Sequence, residues 1–176
     1  MSSYAFRAPP KPASASATTK ICEVEPVSAA VPASLRLTGA ANTPDYGSSH
    51  FTTLAPHLYK MARVTPKDVD VVQCYENFTG GVLMSLVEHD LVKAEEANDF
   101  LVKENLIIEG GKMPLNTSGG NLAECYMHGL ELVIESVRQI RGTAINQVKN
   151  NDAAIIVGGP MVTPVSSLIL GSEATL

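Results

Sequence analysis

The sequence predicts an α/β domain in which a layered mixed β-sheet carries helices on its faces. Three observations point to it. Short apolar runs rich in β-branched residues, at 69–74, 153–157 and 165–170, have the length of buried strands. Between them lie segments whose apolar residues recur at helical spacing, most clearly over 130–141. Glycine pairs at 80–81, 119–120 and 158–159 stand near the junctions, where a chain that alternates strand and helix must turn sharply.

Residues 1–34 differ in material from the rest. They are mostly Ala, Ser, Pro and Thr, with Pro9, Pro10, Pro12, Pro26 and Pro32 breaking any regular element, so they read as a disordered leader ahead of a domain over 35–176. Arg7, Lys11 and Lys20 precede the first acid, Glu23, as in an organelle transit peptide. The prolines, however, deny the amphipathic helix that such a peptide needs, and a flexible tail is the simpler reading.

Residues 34–38 alternate like a short strand and 43–47 form a turn cluster. Phe51, Leu54, Leu58 and Met61 give a helix over 51–63. Thr65 followed by Pro66 is a helix start with room for a single turn before the strand 69–74. Helices are expected at 80–90 and 94–102, and Asn105 to Gly111 reads as a strand running into a tight turn. In the helix 130–141, Leu130, Val133, Ile134, Val137 and Ile140 form one apolar stripe. Strand 153–157, the Gly158-Gly159-Pro160 turn and a closing strand at 165–170 complete the domain. The polar group Glu88, His89 and Asp90 at a helix end reads as solvated surface.

The chain has 176 residues, enough for one ordinary core, and 45% of them are hydrophobic. A net charge of −5 disfavours a nucleic-acid backbone as partner. No apolar run approaches the roughly 20 residues of a membrane span. Cys22, Cys74 and Cys125 are too sparse for a disulfide framework and form no zinc-binding pattern, so no metal is expected and a reducing, cytoplasmic compartment is. An organelle is the alternative compartment, although Glu173-Ala174-Thr175-Leu176 matches no peroxisomal signal. Cys125 lies near His128 in sequence, yet such a cysteine is more commonly a small apolar residue than a nucleophile.

Two tyrosine-bearing loops about fifty residues apart hold the chemistry. The first is Gln73-Cys74-Tyr75-Glu76-Asn77-Phe78. The second runs Asn116-Thr117-Ser118-Gly119-Gly120 and on through Cys125-Tyr126-Met127-His128-Gly129. In order and spacing these loops resemble the active-site loops in the C-terminal half of the thiolase superfamily. Glu76 and Phe78 match the Asn-Glu-Ala-Phe loop, and Asn116 to Gly120 the Asn-x-x-Gly-Gly turn. Cys125 to Gly129 stands at Gly-His-Pro-x-Gly, and Gly158-Gly159 at the last glycine turn. The resemblance covers about residues 35–172.

By that register Tyr75 replaces the loop asparagine, Tyr126 the catalytic histidine and Ile156 the second catalytic cysteine. An isoleucine cannot move the α-carbon proton that a Claisen thiolase must move. The combination resembles the thiolase-like lipid-transfer proteins that act as acyl-CoA aldolases on steroid side chains. The resemblance therefore implies retro-aldol cleavage of a β-hydroxyacyl-CoA, with Tyr75 and Tyr126 as an acid/base pair of unassigned order. A phenol of ordinary pKa, about 10, is a poor base at neutral pH, so the two hydroxyls must share a proton or stabilise one phenolate. Backbone amides near Gly119 and Gly120 would polarise the thioester carbonyl.

His128 either reaches the same pocket or caps the next helix. Glu76 either orients a neighbour or bonds backbone amides. Asn116, Gly119 and Gly120 set a turn first, and with Glu76 they are the candidate substrate contacts. Asn77 is left undecided. Coenzyme A enters only as part of the substrate, with no covalently bound cofactor.

A complete thiolase pairs two such halves, and this sequence holds the second. The resemblance implies a partner: a separate chain supplying the first half, or a homo-oligomer. A second partner it implies is an acyl-CoA-binding protein with an OB-fold and a zinc ribbon. The alternatives to a lyase are a non-catalytic thiolase-like or lipid-transfer subunit, and a Claisen-type acetyltransferase.

Overall fold

The computed structural model describes residues 20–21, 47–49, 51–149, 151–160 and 165–175. The rest of the leader, the strand expected at 34–38, the turn residues 43–46 and Cys22 lie outside the described residues. Strands β1 (Lys20–Ile21), β2 (Val71–Cys74), β3 (Ala153–Gly158) and β4 (Ser166–Gly171) form one mixed sheet in the order β1-β4-β3-β2. The β2–β3 pair is parallel, whereas β3–β4 and β1–β4 are antiparallel.

Side chains alternate across the sheet with period two, so each strand feeds two cores. Val72, Cys74, Ile155, Val157 and Ile169 face one side, where they pack with Phe51, Leu54, Leu58 and Tyr59 of helix α1 (Phe51–Ala62) and Leu86 of helix α2 (Thr79–Glu88). Val71, Tyr75, Ala154, Ile156 and Leu170 face the other, against Leu132 and Ile140 of helix α6 (Leu130–Ile140), which follows the single-turn helix α5 (Gly120–Ala123). Because both faces are covered, β2 is buried at all four positions. Pro56 sits inside α1 on its exposed side, as does Thr52 one turn earlier, so the carbonyl that loses its partner faces water.

The expected turn after Thr65 is a 3-10 helix, Pro66–Asp68, closed by a capping box in which Asp68 takes the Thr65 amide and hydroxyl. The 94–102 helix is a 3-10 turn (Ala94–Glu96) leading into the single-turn helix α3 (Ala97–Phe100).

Three expectations need correction. Residues 105–108 are not a strand: helix α4 (Lys103–Leu106) gives way to turns, with Gly110 at φ 79°. A Cβ on Gly111 would collide with the Ile107 carbonyl, so this reversal is too tight for any side chain. The segment that lies beside β2 comes later. The amide of Val72 donates to Pro114 and that of Asn116 to Val72, making one parallel bridge at Leu115 that Pro114, without an N–H, cannot prolong.

The group at 88–90 is not solvated surface either. His89 is fully buried, its ring 4.7 Å from that of Phe51, and its Nδ1–H donates to the Ser85 carbonyl while Nε2 accepts from the Ser167 hydroxyl. Glu88 takes the amides of Ser49 and Phe51, each at 2.6 Å, and so secures the start of α1. Only Asp90 is exposed.

Finally, of the predicted stripe α6 fully buries only Ile140. Leu130 is 54% exposed and Val133, Ile134 and Val137 are half-buried, while Glu131, Glu135 and Gln139 face inward. The reason lies in the two loops that these polar residues hold.

Candidate active site

Tyr75 follows β2 directly, and its amide still pairs with the Val157 carbonyl at 2.9 Å. Asn116 fixes the second loop to the same point. Its side-chain oxygen accepts from the Cys74 amide at 2.7 Å and its nitrogen donates to the Cys74 carbonyl at 3.0 Å. A side chain thus carries the ladder on past Leu115 toward Cys74, and the left-handed φ of 49° at Asn116 is one that asparagine tolerates.

The hydroxyls of Tyr75 and Tyr126 are joined by a short hydrogen bond, their rings 6.4 Å apart. His128 joins them, its ring 4.9 Å from that of Tyr126. The Tyr75 ring is buried, while Tyr126 is 55% exposed, so the pair opens onto the surface. His128 (φ 53°) and Gly129 (φ 94°) both take left-handed backbone and wrap the loop around Tyr75. A Cβ on Gly129 would stand 3.2 Å from Cδ2 of Tyr75, so glycine is needed for close approach as well as for φ. The residue heading α6 is Gly129 rather than His128.

Glu131, fully buried, receives the amides of Met127 at 3.0 Å and of Gly129 at 3.1 and 3.2 Å. One turn on, Glu135 accepts from the Thr117 hydroxyl at 2.7 Å. After another turn Gln139 donates to Thr117, Glu135 and the Asn146 carbonyl. Gln73 of β2 donates to Thr117 as well, at 2.8 Å. The inward face of α6 is therefore a polar ladder at i, i+4 and i+8 that grips the Tyr126 loop at one end and the Asn116 loop at the other. Reading the sequence by its apolar stripe missed Gln73, Thr117, Glu131, Glu135 and Gln139. The signal that could have found them is the four-residue spacing of Glu131, Glu135 and Gln139 right after a glycine turn.

Glu76 spans the loops on another side, receiving both the amide and the side-chain nitrogen of Asn121. Its carboxylate lies where a Cβ on Gly120 would be, and Gly119 and Gly120 have φ of 95° and 64°. Of the candidates, then, Tyr75, Tyr126 and His128 come together, while Asn116, Gly119, Gly120 and Glu76 build the turn beside them. Phe78 and Cys125 are exposed, and Cys74 is buried with its thiol pushed up to about 12, chiefly by burial, which leaves it inert.

Tyr75 is likewise pushed up to about 12. The hydrogen bond to Tyr126 is the main cause, followed by burial and by the negative fields of Tyr126, Glu131 and Glu76. Its surroundings thus favour a neutral phenol over a stored phenolate. Among the described residues no three His, Cys, Asp or Glu side chains are placed to share a metal ion, and no helix is long and apolar enough to cross a membrane.

Two curated relatives share 40% identity with this chain. One is the 17-hydroxy-3-oxo-4-pregnene-20-carboxyl-CoA lyase of Mycobacterium tuberculosis, matched over 114 residues, 65% of this chain and 29% of the relative. The other is a steroid side-chain-cleaving aldolase of Thermomonospora curvata, matched over 116 residues, 66% of this chain and 29% of the relative. The chain thus spans under a third of the length of the relatives it matches. Among solved structures, an Ltp2-ChsH2(DUF35) aldolase superposes with a TM-score of 0.69 at 35% identity, covering 75% of this chain and 34% of that one. The thiolase C-terminal domain-like family model matches residues 36–172, and the chain belongs to that family.

Proposed function

We propose that this chain supplies the proton-transfer pair of an acyl-CoA carbon–carbon lyase, which cleaves a β-hydroxyacyl-CoA with a steroid-like acyl group by retro-aldol reaction. The observation that carries the proposal is the direct hydrogen bond between Tyr75 and Tyr126, in a domain whose relatives are named lyase and aldolase. As Tyr75 is held neutral, the pair works as a relay. The substrate β-hydroxyl gives its proton to the exposed Tyr126 oxygen, Tyr126 passes its own to Tyr75, and Tyr75 delivers one to the enolate. The Cα–Cβ bond breaks, its electrons form the enolate, and the β-carbon becomes the carbonyl of the released ketone or aldehyde. Every proton is conserved and neither phenol need exist as an anion.

His128, whose ring lies tilted against that of Tyr126, would orient that ring, and amides of the Gly119–Gly120 turn would polarise the thioester. Coenzyme A enters as part of the substrate, and no covalent cofactor is used. The buried side chain of Ile156 offers no thiol for the Claisen alternative. The exposure of Tyr126 favours an assembled site, closed by a first thiolase-type half or a second copy, with an acyl-CoA-binding chain of the OB-fold and zinc-ribbon kind as further partner. If the chain is instead a non-catalytic subunit, its tyrosines are dispensable.

The test is turnover of a β-hydroxyacyl-CoA by the co-expressed assembly, comparing native chain with Tyr75→Phe and Tyr126→Phe. Each variant should lose about 100-fold or more in kcat, the usual scale for a general acid or base. Equal turnover by all three proteins refutes the relay.

A further inference from the structure

We infer that Glu131 is the positioning residue of the tyrosine pair, clamping the 126–129 loop around the Tyr75 ring so that the two hydroxyls meet. This inference rests on the relay reading and adds to it a group that never touches substrate. Glu131 is wholly buried and both of its oxygens are engaged by backbone N–H groups, of Met127 and of Gly129. A carboxylate so engaged has no face open to a ligand. What it holds is specific: Met127 and Gly129 bracket His128, and Tyr126 immediately precedes Met127. The Gly129 backbone runs so close beside the Tyr75 ring that an added Cβ would crowd it, so the clamp sets the placement of Tyr126 relative to Tyr75.

Its charge has a second effect. The groups that bear on Tyr75 are Tyr126, Glu131 at the head of α6 and Glu76 beside the Gly120 turn, and all three oppose ionisation. Uncharging Glu131 removes part of that opposition. A clamp that also carries charge thus holds the pair together and keeps it neutral, the state a relay needs.

The test uses the full chain with tyrosine labelled by carbon-13 at Cζ, read by NMR titration and by amide hydrogen exchange. Glutamine at position 131 turns an NH2 group toward donors and cannot accept all of these bonds. In Glu131→Gln the Met127 and Gly129 amides should exchange about 10-fold faster or more, and the Tyr75 midpoint should fall by about half a pH unit. Glu135→Gln, one turn along the same helix, should leave that midpoint in place. Equal responses in the two variants would make Glu131 merely structural and overturn the inference.

If Glu131→Gln does not fold, Glu131→Asp decides. It keeps the charge but is one methylene shorter, so exchange should quicken, and the Tyr75 midpoint should fall as its bond to Tyr126 loosens. Unchanged exchange in the aspartate variant overturns the clamp. Neither readout requires turnover, so a failure of the lyase reading in the Tyr→Phe assay would leave this result distinguishable from it.

Discussion

Acidification should destabilise this fold through one residue, His89. Its imidazole is fully buried between Phe51, the Ser85 carbonyl and the Ser167 hydroxyl, and burial depresses its pKa from 6.5 to about 4. A depressed histidine means that the unfolded chain takes the proton first as pH falls. Its contribution is therefore fully present above pH 6.5, is lost between 6.5 and about 4, and changes no further below that. At about 1.36 kcal/mol per unit, the loss reaches about 2 kcal/mol by pH 5 and about 3 kcal/mol by pH 4. Against a typical total of roughly 5–15 kcal/mol, that is a large fraction. Urea unfolding followed by circular dichroism between pH 7 and 4 measures it, with His89→Gln as reference because glutamine keeps a donor and an acceptor without titrating. The native chain should lose about 2 kcal/mol more than the variant between pH 7 and 5. Parallel curves for the two proteins would refute the assignment of this pH dependence to His89.

Gly129→Ala should cost about 1–2 kcal/mol for left-handed backbone and push the Tyr75 ring by its new Cβ, so the melting temperature and the tyrosine near-ultraviolet dichroism should both change. Thr117→Val removes the hydroxyl shared by Gln73, Glu135 and Gln139 and leaves buried polar atoms without partners. A loss of about 1–3 kcal/mol is expected in chemical denaturation. Glu88→Ala releases the amides of Ser49 and Phe51 at the head of α1. It should lower stability by about 1 kcal/mol and quicken amide exchange in the first turn of that helix ahead of the rest.

Local rules made part of this molecule readable. β2, β3 and β4 were legible because apolar runs bounded by turns are short and both faces of the sheet are covered. Thr65-Pro66 announced its turn because cap and proline act within four residues. The tyrosines were legible through a resemblance of spacing, and the hydroxyl bond brings them together. What escaped was set by distant partners. Leu106-Ile107-Ile108 has strand propensity, yet the tight reversal at Gly111 and the return of residues 113–116 to β2 fix it otherwise. His89 looked solvated among charged neighbours because Ser167, its buried partner, lies 78 residues away.

Helix α6 shows why composition misleads at such a site. A helix normally buries its apolar stripe, since that face gains most by leaving water. Here the sheet face must also supply acceptors for two loops whose glycine and asparagine turns leave backbone N–H groups and a threonine hydroxyl pointing inward. Unpaired, each such buried donor would cost about 1–3 kcal/mol, comparable with burying a whole leucine side chain. Satisfying them with Glu131 and Glu135 thus outweighs the loss of apolar contact, and Leu130 is left at the surface. The inversion is local to the helix that bears on both tyrosine loops. A buried polar ladder on an otherwise amphipathic helix is therefore itself a marker of where a fold holds its chemistry in place.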